Sequence, residues 1–256
     1  FGKPQGSGKK SDEDHKELEI EQLAHISPEE IGAIDALVAQ VAETGKVPAA
    51  KDLDLLRKGA SAVDIALFGR MLAKHPKFNV EAAAQVAHAI TVHAVAVEDD
   101  YFTAVDDLNA DADDAGAAHL GETEFGAGVF YLYICLNRDL LIENLDGNRE
   151  LADSAIKAFV ECATTVAPTG KQNSFASRAR ASYVMAEKGS QQPRSLSVSF
   201  LEPAGGRAVM TEAVDKLQQA RAAMDKAYGA CADSVVTMNT VNGEGTLDDI
   251  LAFVTE

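Results

Sequence analysis

AAAQVAHAITVHAVAV (82–97) and GAGVFYLYICL (126–136) decide how this chain is read. The second half of the first stretch is rich in Val, Ile and Thr, which suit a pleated, half-buried surface. The second is a run of β-branched and aromatic residues and predicts a strand more strongly. Read as antiparallel neighbours, the two leave residues 98–125 as a connection far longer than an ordinary hairpin loop. Connections of that length inside compact domains are usually functional or disordered. This one opens with EDDYFTAVDDLNADADD (98–114), a run of acids with one bulky pair, Tyr101-Phe102, set inside it. No Lys or Arg occurs from residue 78 to residue 137. Acid runs ordinarily face water, so the two aromatics need a separate reason.

Toward the C-terminus, NRELADSAIKAFVECATTVAP (148–168) predicts an amphipathic helix with Leu151, Ile156, Phe159 and Val160 on one side, ended by Pro168-Thr169-Gly170. SLSVSFLEP (195–203) reads as a strand. RAVMTEAVDKLQQARAAMDKAYG (207–229) predicts a helix with Gly229 at its end, and TLDDILAFVTE (246–256) a short helix capped by Thr246. From residue 87 onward the order is strand, long insert, strand, helix, strand. That matches the later elements of a ferredoxin-like strand-helix-strand-strand-helix-strand unit. The predicted class is α+β.

Toward the N-terminus, SPEEIGAIDALVAQVAE (27–43) is a strong helix start: Ser27 as N-cap, Pro28 in the first turn, Glu29 and Glu30 facing the positive end of the helix. AAKDLDLLRKGAS (49–61) predicts another helix, and VDIALFGRMLAKH (63–75) a helix or a strand. ELEIEQLAHI (17–26) alternates enough for a short strand. FGKPQGSGKKSDEDHK (1–16) is polar and Gly-rich and reads as a flexible linker or loop. The chain begins at Phe1, and a piece of the natural protein is expected upstream of it. The expected division is therefore a linker over 1–16, a largely helical region over 17–80, and a sheet-bearing region over 81–256 with an insertion at about 95–128.

The 256 residues are 46% hydrophobic, enough for a substantial core, and carry a formal charge of −17. That charge argues against a non-specific polyanion binder, since phosphate affinity normally comes from Lys and Arg; a local nucleic-acid surface stays open. No apolar run reaches membrane-spanning length, and no signal peptide is expected. Cys135, Cys162 and Cys231 are far apart and without CxxC spacing, so neither a disulfide framework nor a zinc site is expected, and a reducing cytoplasm fits.

Candidate chemistry is thin. Asn109, Asp111 and Asp113 have the spacing of the first ligands of a calcium loop, but Asp114 stands where Gly is needed and Leu120 where the bidentate Glu belongs. His88 and His93 are five apart, which on a strand puts them on opposite faces. His119, in AAHLGETEF, has Glu122 and Glu124 nearby and is expected at a contact surface. No GxSxG, Walker loop or GxGxxG occurs, so no catalytic residue, metal or cofactor is assigned. Three sites remain. Tyr101-Phe102-Thr103 offers aromatic faces for stacking or wedging against bases, or an anchor for the loop's own small core. FGRML (68–72) offers Gly69 for close backbone approach, Arg70 for a phosphate and Met71 for packing on a base, or else a helix end with Met71 in the core. PTGKQNS (168–174) offers Lys171 and two amides, or an ordinary surface turn.

VDIALFGRML, AHAITVH, YFTAVDDL, AHLGETEFGAGVFY and PTGKQN, in this order and spacing, closely resemble the CasC family, the backbone subunit of the type I-E CRISPR Cascade complex. The resemblance is dense from residue 63 to about 144 and thinner to about 203. It implies an RRM-like palm, helical fingers at 17–80 and a β-hairpin thumb at about 95–128. It implies copies of the chain, with the other Cascade subunits, lined along crRNA in the cytoplasm. Each thumb would kink the RNA and flip a base, leaving the rest for target DNA. Phe102 would sit at the kink with Tyr101 and Thr103 beside it, Met71 would pack on bases with Arg70 near the backbone, Lys171 and Gln172 would approach RNA from the palm, and His119 would be a thumb contact. The acids around Phe102 would face solvent or a basic patch on a neighbouring copy. The family's basic N-terminal region has no counterpart here, so the palm is expected to be incomplete. Two other classes compete: a metal-dependent enzyme using His119, Glu122, Glu124 and the Asp cluster, and an acidic adaptor whose long loop docks a basic protein.

Overall fold

A computed structural model describes residues 23–56, 62–104 and 119–256. The linker at 1–16, most of the strand expected at 17–26 and the Asn109, Asp111 and Asp113 spacing lie outside the described residues. The helices are α1 (Pro28–Thr44), α2 (Val63–Phe68), α3 (Arg138–Asn144), α4 (Arg149–Thr165), α5 (Gln172–Phe175), α6 (Val209–Tyr228) and α7 (Leu247–Thr255). The strands are β1 (Ala84–Val86), β2 (Ile90–Thr91), β3 (Val97–Ala104), β4 (His119–Gly126), β5 (Phe130–Tyr131), β6 (Ile134–Leu136), β7 (Tyr183–Lys188) and β8 (Ser234–Asn239). The strands pair as β1 with β6, β2 with β5, β3 with β4 and β7 with β8, giving the α+β class. The chain forms two compact units. One holds the described residues up to Gln85 with Ile134–Ala186 and Val236–Glu256; the other holds Val86–Tyr133 and Glu187–Val235.

In the first unit, α1 starts as its sequence demands. The Ser27 hydroxyl accepts from the Glu30 N–H (3.2 Å), and the Glu30 carboxylate accepts from the Ser27 N–H (2.9 Å), a reciprocal capping box. Gly45, at φ 62°, ends the helix in the left-handed region that glycine reaches freely. The helix expected over 49–61 is a 3₁₀ turn at Ala50–Leu53 within the described part. Asn137 and Asn148 cap α3 and α4 by accepting from Leu140 and Leu151 N–H, both at 3.0 Å. Leu67, Leu141, Ile142, Leu145, Ala152 and Ile156 pack together in the core. Arg138 donates to Asp153 (2.6 Å) and to the Thr255 carbonyl (3.2 Å), which sets a cation on the negative end of α7. Asn144 joins α3 to two other segments by donating to the carbonyls of Ala66 (3.0 Å) and Glu81 (2.9 Å).

In the second unit, the stretch read as one strand over 82–97 is interrupted. Ala87 N–H donates to the Tyr133 carbonyl, Ile90 lies opposite Tyr131, and Val97 lies opposite Gly126. The paired positions add to 220, then 221, then 223, so the first strand carries one extra residue and then two more before the hairpin begins. Bulges of this kind bend and twist a ribbon. Val92, Ala204 and Ala213 form the buried centre, with Tyr131 and Phe200 packed against it. Arg194 and Arg221 each bond both Glu187 and Asp225, with the shortest contacts at 2.7 and 2.6 Å.

The strand expected at 195–203 is a 3₁₀ turn over Ser197–Phe200. Its serines bond back to the local backbone: Ser199 Oγ donates to the Leu196 carbonyl (2.7 Å) and Ser195 Oγ accepts from Ser197 N–H (3.2 Å). Such bonds compete with a ladder. The strand after α4 is instead β7, paired with β8. Thr240 N–H donates to the Ser182 carbonyl and Asp233 N–H to the Lys188 carbonyl, which makes the pair antiparallel.

Candidate nucleic-acid interface

The long connection is a hairpin. β3 and β4 pair antiparallel from Val97 opposite Gly126 to Ala104 opposite His119. Strand alternation puts Glu98, Asp100 and Phe102 on one face with Thr123 and Phe125, and Asp99, Tyr101 and Thr103 on the other with Glu122 and Glu124. Tyr101 and Phe102, which the sequence offers as a pair, therefore serve opposite faces. Phe102 is 41% exposed and Tyr101 61%. Phe102 lies directly across from Gly121, where a Cβ would come within 2.5 Å of its ring. The glycine makes the bed for the ring, a cross-strand arrangement in which an aromatic covers a glycine.

The register also bears on the metal alternative. His119 pairs with Ala104, three and five positions along β4 from Glu122 and Glu124. Among the described residues no group of three His, Cys, Asp or Glu is placed to hold a metal ion. His93, one of the two histidines five apart, is hydrogen-bonded: Nε2 accepts from Val129 N–H (3.1 Å) and Nδ1 lies 2.7 Å from the Ala94 carbonyl.

In the first unit, α2 runs into the Gly69-Arg70-Met71 segment. Gly69 sits at φ 78°, and a Cβ there would meet the Val80 carbonyl at 2.8 Å. The close approach that glycine permits is to the chain's own backbone, where Arg70 and Val80 exchange hydrogen bonds. Arg70 corrects the expectation of a phosphate contact. Its side chain is 2% exposed and meets the fully buried Glu30, with Nη1 donating to both carboxylate oxygens at 2.8 and 2.9 Å. Nη1 also donates to the His25 carbonyl (3.3 Å) and Nε to the Phe78 carbonyl (3.2 Å). Met71, the next residue, is 77% exposed, not in the core. A buried brace thus holds an exposed thioether side chain. Beside it, His25 Nε2 lies 2.6 Å from Asp64 on α2. Burial raises the Asp64 carboxyl, but the Ile65 N–H, the His25 imidazole and its own N–H together hold it below the usual carboxylate range.

Lys171 and Gln172 lie on the loop between α4 and β7. Lys171 is exposed and at φ 57°, in the left-handed region. Gln172 uses its amide within the loop, donating to the Pro168 carbonyl at 2.9 Å. Glu30, the partner of Arg70, is the functional-site residue that sequence reading missed; it looked only like a capping acid, and nothing local signals its second role.

No curated protein matches the chain. A solved chain described as a CRISPR RNA-guided surveillance complex, pre-nicking, is 29% identical; the match covers 87% of this chain and 67% of that one at a TM-score of 0.72. A second, described as a CRISPR RNA-guided surveillance complex, is 27% identical over 90% of this chain and 86% of that one, with a TM-score of 0.61. The model of the CT1975-like protein family matches residues 3–251. Matched over nearly its whole length, the chain belongs to the CT1975-like family of Cas proteins and is a protein of the Cascade backbone type.

Proposed function

We propose that this chain is a non-catalytic, guide-RNA-binding backbone subunit of a type I-E surveillance complex. Copies of it polymerise along crRNA in the cytoplasm, beside the other Cascade subunits, and present the guide for pairing with target DNA in antiviral defence. Sequence specificity then lies in the guide–target pairing, and the protein holds the backbone. In this reading residues 17–80 are the fingers, the β3–β4 hairpin is the thumb, and the remainder is an RRM-like palm.

The observation that carries the reading is Phe102, an exposed ring seated on Gly121 in a hairpin with no cation of its own. Such a ring acts on bases, whose flat faces need no positive charge to stack. Phe102 is the stacking or wedging residue. Tyr101 and Thr103, on the opposite face, contact the adjoining RNA, and His119 is the thumb contact. Met71 packs on a base, held out by the buried Arg70. Lys171 meets phosphate, and Gln172 shapes its loop. The test is the complex purified with its neighbouring subunits. A high ratio of absorbance at 260 to 280 nm and one discrete RNA length are expected. Phe102→Ala should weaken guide binding by about 1–3 kcal/mol for each stacked base lost. A nucleic-acid-free complex, or full kinking and affinity in the variant, overturns the reading.

A further inference from the structure

Met71 stands between two buried residues: Arg70 and Leu72 lie in the interior and Met71 is exposed. The direction of its side chain is set by the two peptide planes that flank it, since φ and ψ are the only soft backbone angles of a residue. Each plane is held at one point. On the N-terminal side, the Arg70 carbonyl accepts from the Val80 N–H at 2.9 Å, and the Arg70 N–H donates back to the Val80 carbonyl at 3.0 Å. On the C-terminal side, the Leu72 N–H donates to the side-chain oxygen Oδ1 of Asn79 at 2.7 Å. Backbone fastens one plane, and a single side chain fastens the other.

Asn79 is itself fixed. Its N–H donates to the Pro76 carbonyl at 3.0 Å, which closes the 3₁₀ turn at Pro76–Phe78. The Phe78 carbonyl accepts from Arg70 Nε at 3.2 Å. Three consecutive residues, Phe78, Asn79 and Val80, thus grip Arg70 and Leu72 on either side of Met71. A buried N–H needs an acceptor, and a carbonyl from a paired strand would meet that need for Leu72. It would also lay a second backbone alongside Met71. The short Asn79 amide does the same work from a strap already bonded to Arg70, and the Met71 side chain keeps its exposure. Methionine is unbranched, with three rotatable bonds. Such a side chain binds well only when its root is held beforehand, because ordering it on contact costs affinity.

We propose that Asn79 is a positioning residue: it touches no nucleotide, and by holding the Leu72 N–H it fixes the angle at which Met71 meets its ligand. The inference rests on the guide-RNA reading of Met71 above and concerns what aims that side chain. The test is a double-mutant cycle on the full-length protein with its neighbouring subunits, titrated with labelled single-stranded RNA of guide length. Asn79→Ala should lower affinity about fivefold, the net worth of one hydrogen bond. Asn79→Asp keeps an acceptor at the same reach and should recover most of that loss. Met71→Ala should lower affinity as well. Because Asn79 acts through Met71, the losses should not add: in the Met71→Ala background, Asn79→Ala should cost no more than about twofold. In the protein without RNA, the isotope-labelled Met71 methyl signal should move in Asn79→Ala while the other methionine methyls stay in place. Full additivity, or wild-type affinity in Asn79→Ala, overturns the inference while the guide-RNA reading stands. So does a collapse of all the methionine signals together in Asn79→Ala, which would make Asn79 a residue of the fold alone. Full affinity in Met71→Ala overturns the reading of Met71 and this inference together.

Discussion

Arg70 donates to both oxygens of Glu30 and to the carbonyls of His25 and Phe78. Glu30 in turn caps α1 through the Ser27 N–H. One carboxylate therefore closes a helix start and neutralises a buried guanidinium 40 residues away. Removing one partner leaves the other charge buried and uncompensated, so Arg70→Ala should cost about 3–5 kcal/mol, read from the urea midpoint. Arg70→Met combined with Glu30→Leu should recover much of that loss, because the desolvation penalty goes with the pair. A single variant with the parent's midpoint would show that the brace contributes nothing. Arg70 was legible in the sequence only as a cation between Gly69 and Met71, offered for a phosphate. Its burial depends on Glu30, and nothing local in the FGRML stretch identifies that partner.

At the scale of elements, the hairpin carries a cost within its own register. Asp99 stands directly opposite Glu124 and Tyr101 opposite Glu122, so one face brings like charges together. Like charges in facing cross-strand positions destabilise the pair, by an amount of the same order as the ~0.2–1 kcal/mol that favourable pairs contribute. Asp99→Asn should slow amide exchange along β3 and β4 accordingly, and Glu124→Gln should do the same. If neither variant changes exchange, water already screens the pair. The residues by themselves gave only a long connection at 98–125, and the hairpin was legible through the family resemblance alone; α1 was legible because Ser27, Pro28 and Glu30 are local signals. The 3₁₀ turn at Ser197–Phe200 was not, since alternating serines imitate a strand until their hydroxyls are seen bonding to the neighbouring backbone. β7 and β8 were missed for the opposite reason: YVMAEK and SVVTMN are short, and each gains its identity from the other, a pairing across more than forty residues.

For the whole molecule, the distribution of charge matters more than its sum. Residues 78–137 hold no cation, and residues 162–186 hold no anion. The first stretch includes the hairpin with Phe102, the second the loop with Lys171, Arg178 and Arg180. In the proposed guide-RNA reading the two regions would contact RNA by different physics: stacking in one, counterion release in the other. This separation predicts a difference between variants that affinity at one salt concentration cannot reveal. Phe102→Ala should shift the line of log affinity against log salt downward and parallel to wild type, because no phosphate contact is lost. Lys171→Ala should instead flatten the line by about 0.7, so that its deficit shrinks toward high salt. Measured on the same complex and RNA, a flattened line for Phe102→Ala would mean that the acidic hairpin also orders phosphate contacts on a neighbouring surface. In that case the net charge of −17 would act through the hairpin itself, and the separation of roles between the two regions would fail.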